Sequence, residues 1–280
     1  MNNLNVQYRF SVPVRDPVVK TLDPARIPYT ECPLCSSSDF APLCRADCSR
    51  HPLYKPSIPK LMQWMRCSAC EHVFTDGYYT PQALDIIFSD TNANQLVGAD
   101  YEAQRPIAAR MIEKVLPFAA DGAWLDVGFG NAALLFTAQE FGFEPVGLDL
   151  RAANVETLKK SGVTAHCRDI VDLDQESHYA VISMADVLEH MPYPIEGLRA
   201  AHRLLKPGGV LLASMPNMDS MLWRLMNAGN SNPYWGELEH YHNFGRRGLY
   251  KLLQENGFRP VRYGISERYR VCMEVLAVKV

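Results

Sequence analysis

The second half of the sequence alternates short apolar runs with amphipathic stretches, starting at Trp124. The apolar runs are typical of buried β-strands, and the stretches between them carry apolar residues at helical spacing. Strands that alternate with helices pair in parallel, and the helices then cover both faces of the sheet. Near the end of the chain, a helical stretch at 246–258 is followed by two closely connected strands. We therefore predict an α/β fold whose mainly parallel sheet includes one late antiparallel strand.

A glycine turn follows the first of these predicted strands, with Gly128 and Gly130 separated by one residue. Such a turn before a helix can hold a ligand with backbone N–H groups and the positive end of the helix. The pair alone is a weak signal, because a tight turn that binds nothing has the same pattern. Asp126, Asp149 and Asp169 lie at the ends of successive strands, where Asp149 could hold a ribose diol and Asp169 an adenine amino group. Together they favour a nucleoside ligand.

The successive segments LDVGFG, VGLDL, CRDI, DVLEHM and RLLKPGGVLLASMPN resemble the ordered motifs of class I S-adenosylmethionine-dependent methyltransferases. The resemblance covers about residues 116–280 and implies a Rossmann-like, seven-stranded sheet with S-adenosylmethionine as cofactor. It departs from many members at Asn131-Ala132, where they have a third glycine. The resemblance implies the following contacts: the cofactor amino group with Asp126, its methionyl part with Gly128 and Gly130, its ribose with Asp149, its adenine with Asp169, and the pocket wall with Met184 and Ala185.

Two CxxC pairs lie in the cysteine-rich stretch 31–80, which has too little apolar material to fold on a core alone. Each pair can present two thiolates to one tetrahedral metal ion. The spacing therefore predicts a closed structural zinc (Zn2+) site formed by Cys32, Cys35, Cys67 and Cys70. Four unpaired thiols are the alternative. The stretch also resembles a zinc ribbon that precedes the catalytic domain in some bacterial small-molecule and sugar methyltransferases.

Further cysteines and histidines accompany these pairs. Additional or alternative metal ligands are possible at Cys44, Cys48, His51 and His72. Cys167 and Cys272 lie in apparent strands, so we predict that both are buried thiols.

Two regions carry candidate bases for a methyl acceptor. His190 follows the fourth predicted strand, where the cofactor methyl group would lie, and histidine suits proton transfer near neutral pH. The insert 217–245 is rich in aromatic and polar residues, which favours a lid over the acceptor site. Within it, Glu239, His240 and His242 are the residues best able to bind or deprotonate an acceptor. The alternatives are a structural histidine at position 190 and an ordinary packed loop.

The predicted domain order is an N-terminal arm over 1–30, the zinc-binding module over 31–80, linker helices over 81–115 and the methyltransferase domain over 116–280. The N-terminus lacks the pattern of a secretory signal, and no apolar run reaches the length of a membrane span. We therefore expect a cytoplasmic protein. A net charge of -3 without a Lys/Arg block makes nucleic acid an improbable partner.

The leading hypothesis is methyl transfer to an O, N or C nucleophile of a small molecule, such as a sugar or a secondary metabolite. A second hypothesis is an RNA or protein methyltransferase whose zinc module grips the macromolecule. A third is a non-catalytic zinc scaffold that has kept the nucleotide-binding fold. The identity of the acceptor and the oligomeric state stay open at this point.

Overall fold

A computed structural model describes residues 24–88 and 95–280. These residues divide into two compact units. The N-terminal unit consists of the described residues up to 88 together with the segment Asn217–Gly245. The sheet unit consists of residues 95–216 and Arg246–Val280. Most of the predicted N-terminal arm and residues 89–94 of the predicted linker lie outside the described residues.

The two units contain short strands and helices of moderate length. In chain order, the strands are β1 (Arg26–Pro28), β2 (Phe40–Asp47), β3 (Leu61–Cys67), β4 (Val73–Thr75), β5 (Gly77–Tyr79), β6 (Gly122–Val127), β7 (Phe143–Leu148), β8 (Thr164–His166), β9 (Tyr179–Ala185), β10 (Leu205–Pro216), β11 (His242–Asn243), β12 (Phe258–Ile265) and β13 (Cys272–Lys279). The helices are α1 (Pro81–Ile87), α2 (Tyr101–Val115), α3 (Ala133–Glu140), α4 (Ala152–Lys160), α5 (Pro194–Leu204), α6 (Met221–Ala228) and α7 (Arg246–Glu255).

The sheet unit contains a seven-stranded sheet with the order β12-β13-β10-β9-β6-β7-β8. Neighbouring strands from β6 to β10 pair in parallel, whereas β13 is antiparallel to both β10 and β12. The predicted Rossmann-like sheet and its late antiparallel strand are therefore confirmed. Because parallel strands end at one edge, the turns that follow β6, β7 and β9 lie side by side there.

The core of the sheet unit explains why these strands are nearly continuous apolar runs. Helix α2 packs Met111, Ile112 and Val115 against Trp124 of β6 and Leu212 of β10 in one buried cluster. The helix repeats its apolar residues at helical spacing, so that one face meets the sheet. Strands that are covered on both faces have no solvated side, so nearly every residue along them is apolar.

The N-terminal unit contains a four-stranded antiparallel sheet with the order β11-β4-β3-β2, and a separate pair of β1 with β5. Strand β11 belongs to the segment 217–245, which therefore joins the cysteine-bearing sheet in this unit. One apolar cluster packs Tyr29 and Phe74 with the thiols of Cys32 and Cys67. Trp64 and Phe244 are also fully buried in this unit, so its core is larger than the sequence of the stretch 31–80 predicts.

The two cysteines of the sheet unit differ in burial because of where their strands end or begin. The predicted third strand was expected to run past Cys167, but β8 ends at His166 and Cys167 is exposed in the following turn. The prediction of a buried thiol at Cys167 is therefore wrong. Cys272 begins β13 and is buried, as predicted.

Across the described ranges 24–88 and 95–280, no helix has both the length and the apolar character needed to cross a membrane.

Candidate cofactor and metal sites

The glycine turn after β6 has the backbone conformation that its sequence predicts. Gly128 and Gly130 have positive φ angles of 66° and 54°. Residues that have a Cβ atom rarely adopt such a backbone conformation. A Cβ on Gly128 would lie 3.2 Å from Cγ2 of Val187, whereas one on Gly130 would have its nearest neighbour at 4.0 Å. Ala132 also has a positive φ, of 61°; it belongs to the dipeptide Asn131-Ala132, where the family pattern has a third glycine. The turn keeps its shape at a local cost of about 1–2 kcal/mol.

Asn131, the other departure from the family pattern, ties a neighbouring segment to this turn. Its Nδ2 donates to the carbonyl oxygen of Ala99 at 3.0 Å, and its carbonyl oxygen accepts from the amide of Gly98 at 3.0 Å. Its Oδ1 accepts from the amide of Ala133 at 3.1 Å, at the start of α3. The asparagine side chain therefore links Ala99 to the start of α3, whereas a glycine would keep only the backbone bond to Gly98.

Asp126 is a buried carboxylate in β6, two residues before the first glycine of the turn. Its Oδ1 accepts a 2.5 Å hydrogen bond from Oγ of Ser183, which in turn accepts from Nε1 of Trp124 at 2.8 Å. Burial raises the pKa of Asp126 to about 6, although the Ser183 bond and the charge of Arg268 act to lower it. A buried acid that is ionised at neutral pH can hold a cationic amino group.

Asp149 follows β7, the strand next to β6, and is also buried. Its Oδ1 accepts from both the amide and Nε of Arg151 at 2.9 Å, and its Oδ2 accepts from Nη2 at 2.7 Å. Arg151 donates further to Oε1 of Gln95 at 2.5 Å. A carboxylate offers about four lone-pair sites, so three are already used by one residue. A ribose diol that donates two hydrogen bonds to Asp149 must therefore displace at least one bond from Arg151.

The remaining predicted cofactor contacts lie at the same sheet edge. Met184 and Ala185 end β9, on the other side of β6, and both are buried. Asp169 follows β8 and is half-buried. Its Oδ1 caps the 3-10 turn Ile170–Asp172 by accepting from the amide of Val171 at 3.1 Å. The structure therefore places every predicted cofactor contact at or after a strand end on one edge.

The turn after β9 also contains the acid that precedes the candidate base His190. Glu189 lies in the 3-10 turn Leu188–His190 and is fully buried. Among the side chains that the structure describes, neither of its carboxylate oxygens has a hydrogen-bond partner. Burial, and then the charge of Asp186, hold the pKa of Glu189 well above its usual value. Burial therefore favours the neutral form of this carboxyl, which lies directly beside His190 in the sequence.

Arg268 adds a second positive charge at this edge, beside the end of β9. It lies in the loop between β12 and β13, where Nη1 donates to the carbonyl oxygen of Ala185 at 3.3 Å and lies 3.3 Å from Oδ2 of Asp186. Oδ1 of Asp186 accepts from Oγ of Ser214 at 3.1 Å. No sequence pattern identified Arg268, because its partners are far away along the chain.

The predicted catalytic residues fall into different parts of the chain. His190 is half-buried and ends the 3-10 turn after β9 in the sheet unit. Glu239, His240 and His242 belong to the N-terminal unit. His240 is buried and Glu239 is half-buried. His242 is only 1% exposed, and its Nδ1 lies 3.0 Å from Nε2 of His72.

The four predicted zinc ligands of the N-terminal unit lie together. Their Sγ atoms all lie within 4.8 Å of one another, with 3.6 Å between Cys32 and Cys70 and 3.5 Å between Cys35 and Cys67. Zinc–sulfur bonds in a tetrahedral site imply sulfur separations of about 3.8 Å. The donor set and its spacing therefore fit one closed zinc site.

The other candidate ligands have different partners. The Sγ of Cys48 lies 3.9 Å from the carbonyl oxygen of Ala46, and Nε2 of His51 lies 3.0 Å from Oε2 of Glu237. Cys44 is half-buried in β2. None of these residues, nor His72, belongs to the cysteine cluster.

Comparison with known proteins identifies the class of the sheet unit. A family model described as a methyltransferase domain matches residues 100–263. The match covers more than half of the chain, so the chain belongs to this family. The resemblance to class I S-adenosylmethionine-dependent methyltransferases is thereby confirmed.

The curated relatives match a shorter part of the chain. The chain is 32% identical over 113 residues to a ubiquinone biosynthesis O-methyltransferase of Sodalis glossinidius, covering 38% of this chain and 45% of the relative. The corresponding Pectobacterium atrosepticum enzyme is 30% identical over 113 residues, covering 38% and 47%. The matched region thus spans about half the length of these curated relatives.

Two solved structures share the fold at lower identity. The PH0226 protein of Pyrococcus horikoshii OT3 superposes with a TM-score of 0.52 at 17% identity, covering 65% of this chain and 92% of that one. The magnesium protoporphyrin IX methyltransferase of Synechocystis PCC 6803, solved with bound S-adenosylhomocysteine, gives a TM-score of 0.50 at 17% identity, covering 73% and 90%.

The pKa of Asp126 gives a test of its role. We expect the affinity for S-adenosylhomocysteine to fall as the pH is lowered through about 6, because protonation removes the charge that holds the ligand amino group. The fall should approach about tenfold per pH unit below the pKa. Calorimetric titrations across this range measure it, and Asp126→Asn should bind more weakly but with a flat profile. A variant that keeps the wild-type profile would contradict the assignment.

The ribose assignment has a separate test. Asp149→Ala should weaken binding of S-adenosylhomocysteine by about ten- to a hundredfold, because hydrogen bonds to a charged acceptor are lost. Asp174→Ala is the matched control, since Asp174 is exposed between β8 and β9. Equal affinities for the Asp149→Ala variant and the wild type would remove the ribose role of Asp149.

Proposed function

We propose that this protein transfers the methyl group of S-adenosylmethionine to a nucleophile of a small molecule, such as a sugar or a secondary metabolite. The observation that carries the proposal is the acidic edge of the sheet. Buried Asp126 and Asp149 lie at the ends of neighbouring strands beside a glycine turn. This arrangement suits a ligand that combines a cationic amino group with a ribose. Membership of the methyltransferase family supports the same ligand.

The sheet unit would hold the cofactor through residues at or after the strand ends on one edge of its sheet. S-adenosylmethionine supplies an electrophilic methyl group when bound. The proposed contacts are Asp126 with the amino group, Gly128 and Gly130 with the methionyl part, Asp149 with the ribose, Asp169 with the adenine, and Met184 and Ala185 with the wall of the pocket. The buried carboxylates also favour the positive charge of the bound cofactor, since opposite charges attract strongly where water is excluded.

An acceptor hydroxyl must lose its proton during the transfer, and His190 is the proposed base. It ends the turn after β9, at the edge where the proposed cofactor contacts lie. Burial raises the pKa of neighbouring Glu189 and favours its neutral form, which suits donation of a hydrogen bond to the acceptor. Glu239, His240 and His242 of the insert are proposed to contact the acceptor. Among them, half-buried Glu239 is the most accessible.

An oxygen nucleophile is favoured over nitrogen or carbon by the names of the curated relatives, which are O-methyltransferases. A small acceptor is favoured over RNA by the net charge of -3. The proposal includes a cytoplasmic location. None of the eight cysteines, which all lie in the described ranges, forms a disulfide, which suits a reducing compartment.

The N-terminal unit is proposed to hold one structural zinc ion on Cys32, Cys35, Cys67 and Cys70. Four thiolates close the coordination sphere, so that the ion has no open position for catalysis. Its contribution is to stabilise the two turns that carry the cysteine pairs.

A tritiated methyl-transfer assay across metabolite, RNA and protein fractions tests the acceptor class. We expect the label in the small-molecule fraction. Label in RNA or protein instead would favour a macromolecular acceptor, and binding of S-adenosylhomocysteine without turnover in any fraction would favour the scaffold hypothesis.

The base is tested in the same assay. His190→Asn should lower turnover on the order of a hundredfold while the affinity for S-adenosylhomocysteine stays the same. His178→Asn is the matched control, because His178 is exposed beside the opposite end of β9. Turnover that survives His190→Asn would exclude His190 as the base.

A further inference from the structure

We infer that the zinc ion of the cysteine cluster holds the insert 217–245 in its folded conformation, and that zinc occupancy therefore controls the acceptor-side residues independently of the cofactor site. The inference rests on the proposed zinc site and on the proposed acceptor role of the insert. The zinc module would then support a segment that lies far from the cysteines in sequence.

The backbone provides the first link between the ligands and the insert. Strand β11 of the insert pairs with β4, where His242 lies opposite Phe74 and Asn243 opposite Val73. The amide of Thr75 also donates to the carbonyl oxygen of Tyr241 at 2.9 Å. Strand β4 in turn pairs with β3, which ends at the zinc ligand Cys67.

The second link is the turn that joins β3 to β4 and carries two of the ligands. The amide of Glu71 donates to the carbonyl oxygen of Cys67 at 3.0 Å, and the amide of Cys67 donates to the carbonyl oxygen of His72 at 3.0 Å. Glu71 adopts a positive φ of 62° within it. A metal ion bound by Cys67 and Cys70 would fix this turn, and thereby the start of β4 to which the insert is paired.

Side chains form a third link. Nε2 of His72 lies 3.0 Å from Nδ1 of His242, and both rings are buried. The His72 ring stacks on Phe74, and the His242 ring packs beside Phe244 of the insert. A buried polar pair of this kind is costly to separate, because each nitrogen would lose its partner away from water.

Strand β3 holds a different part of the insert. Nε1 of fully buried Trp64 donates to the carbonyl oxygen of Trp235 at 2.8 Å, and the two indole rings pack edge to face at 5.6 Å. In the segment after β2, His51 lies 3.0 Å from Glu237. The run from Trp235 to Phe244 is therefore attached to the cysteine-bearing sheet along most of its length.

The insert has little means of folding alone. Its helix α6 has eight residues and buries only Trp223, whereas Met221 and Leu225 are 66% and 62% exposed. A helix of this length is not stable in isolation, and β11 has two residues. The ordered conformation of the insert therefore depends on the sheet to which it is paired.

The cofactor site does not share this dependence. The sheet unit packs its own extensive core around Trp124, Val181 and Leu212. The glycine turn and Asp149 lie within that unit. Removal of zinc should accordingly affect the two ligand sites differently.

Hydrogen-exchange mass spectrometry on the full chain tests the inference. Chelation of zinc should speed exchange in residues 233–244 by at least about tenfold, while exchange in β6 stays the same. Cys67→Ser should reproduce the chelated state. Cys44→Ser is the matched control from the same unit, since Cys44 lies outside the cluster. An insert that stays protected without zinc would overturn the inference, and so would a loss of protection that extends to β6.

The coupling is reciprocal, which gives a second readout. Trp235→Ala should speed the release of zinc to a colorimetric chelator by about tenfold, because the insert then supports β3 and β4 less well. Leu225→Ala, a substitution at an exposed position of α6, should leave release unchanged. Equal rates in both variants and the wild type would contradict the coupling. Binding of S-adenosylhomocysteine by zinc-loaded protein is measured separately, and its absence would contradict the proposed function alone.

Discussion

Parallel pairing of β9, β6 and β7 is the constraint on which the cofactor site depends. Because these strands run in one direction, the turn with Gly128, the carboxylate of Asp149 and the end of β9 meet at one edge. Both faces of the strands are covered, so charge at this edge is held in a poorly solvated setting. The hydrogen bond from Ser183 and the charge of Arg268 limit the cost of burying Asp126. Burial also raises the pKa of Glu189 and favours its neutral form.

The N-terminal unit is held together by a different principle. The thiols of Cys32 and Cys67 pack with Tyr29 and Phe74 in one apolar cluster, and all four thiols of the CxxC pairs lie together. A metal ion bound by these thiols would add folding energy to that of the apolar contacts. By pairing with β4, the segment 217–245 depends on this unit although it lies between β10 and α7 of the sheet unit in sequence.

The sequence predicted the features that local patterns encode. The alternation of apolar runs and helical stretches predicted the parallel sheet. The order of the motifs predicted that Asp126 and Asp149 lie at strand ends, and the CxxC spacing predicted that the four cysteines lie together. It did not predict the pairing of β11 with β4, because a strand of two residues has no periodicity and its partner is distant in the chain. The ion pair of Arg151 with Asp149 was also missed, since side-chain direction is set by tertiary packing. Cys167 was misplaced because propensity does not fix where β8 ends.

We propose that one chain binds two ligands on two units, with zinc on the four cysteines and S-adenosylmethionine at the edge of the seven-stranded sheet. Native mass spectrometry of the full chain with S-adenosylhomocysteine tests it most directly. We expect a species that carries one zinc ion and one S-adenosylhomocysteine. After zinc is removed by a chelator, the protein should keep S-adenosylhomocysteine. A chain that binds neither ligand, or that loses both together on chelation, would contradict it.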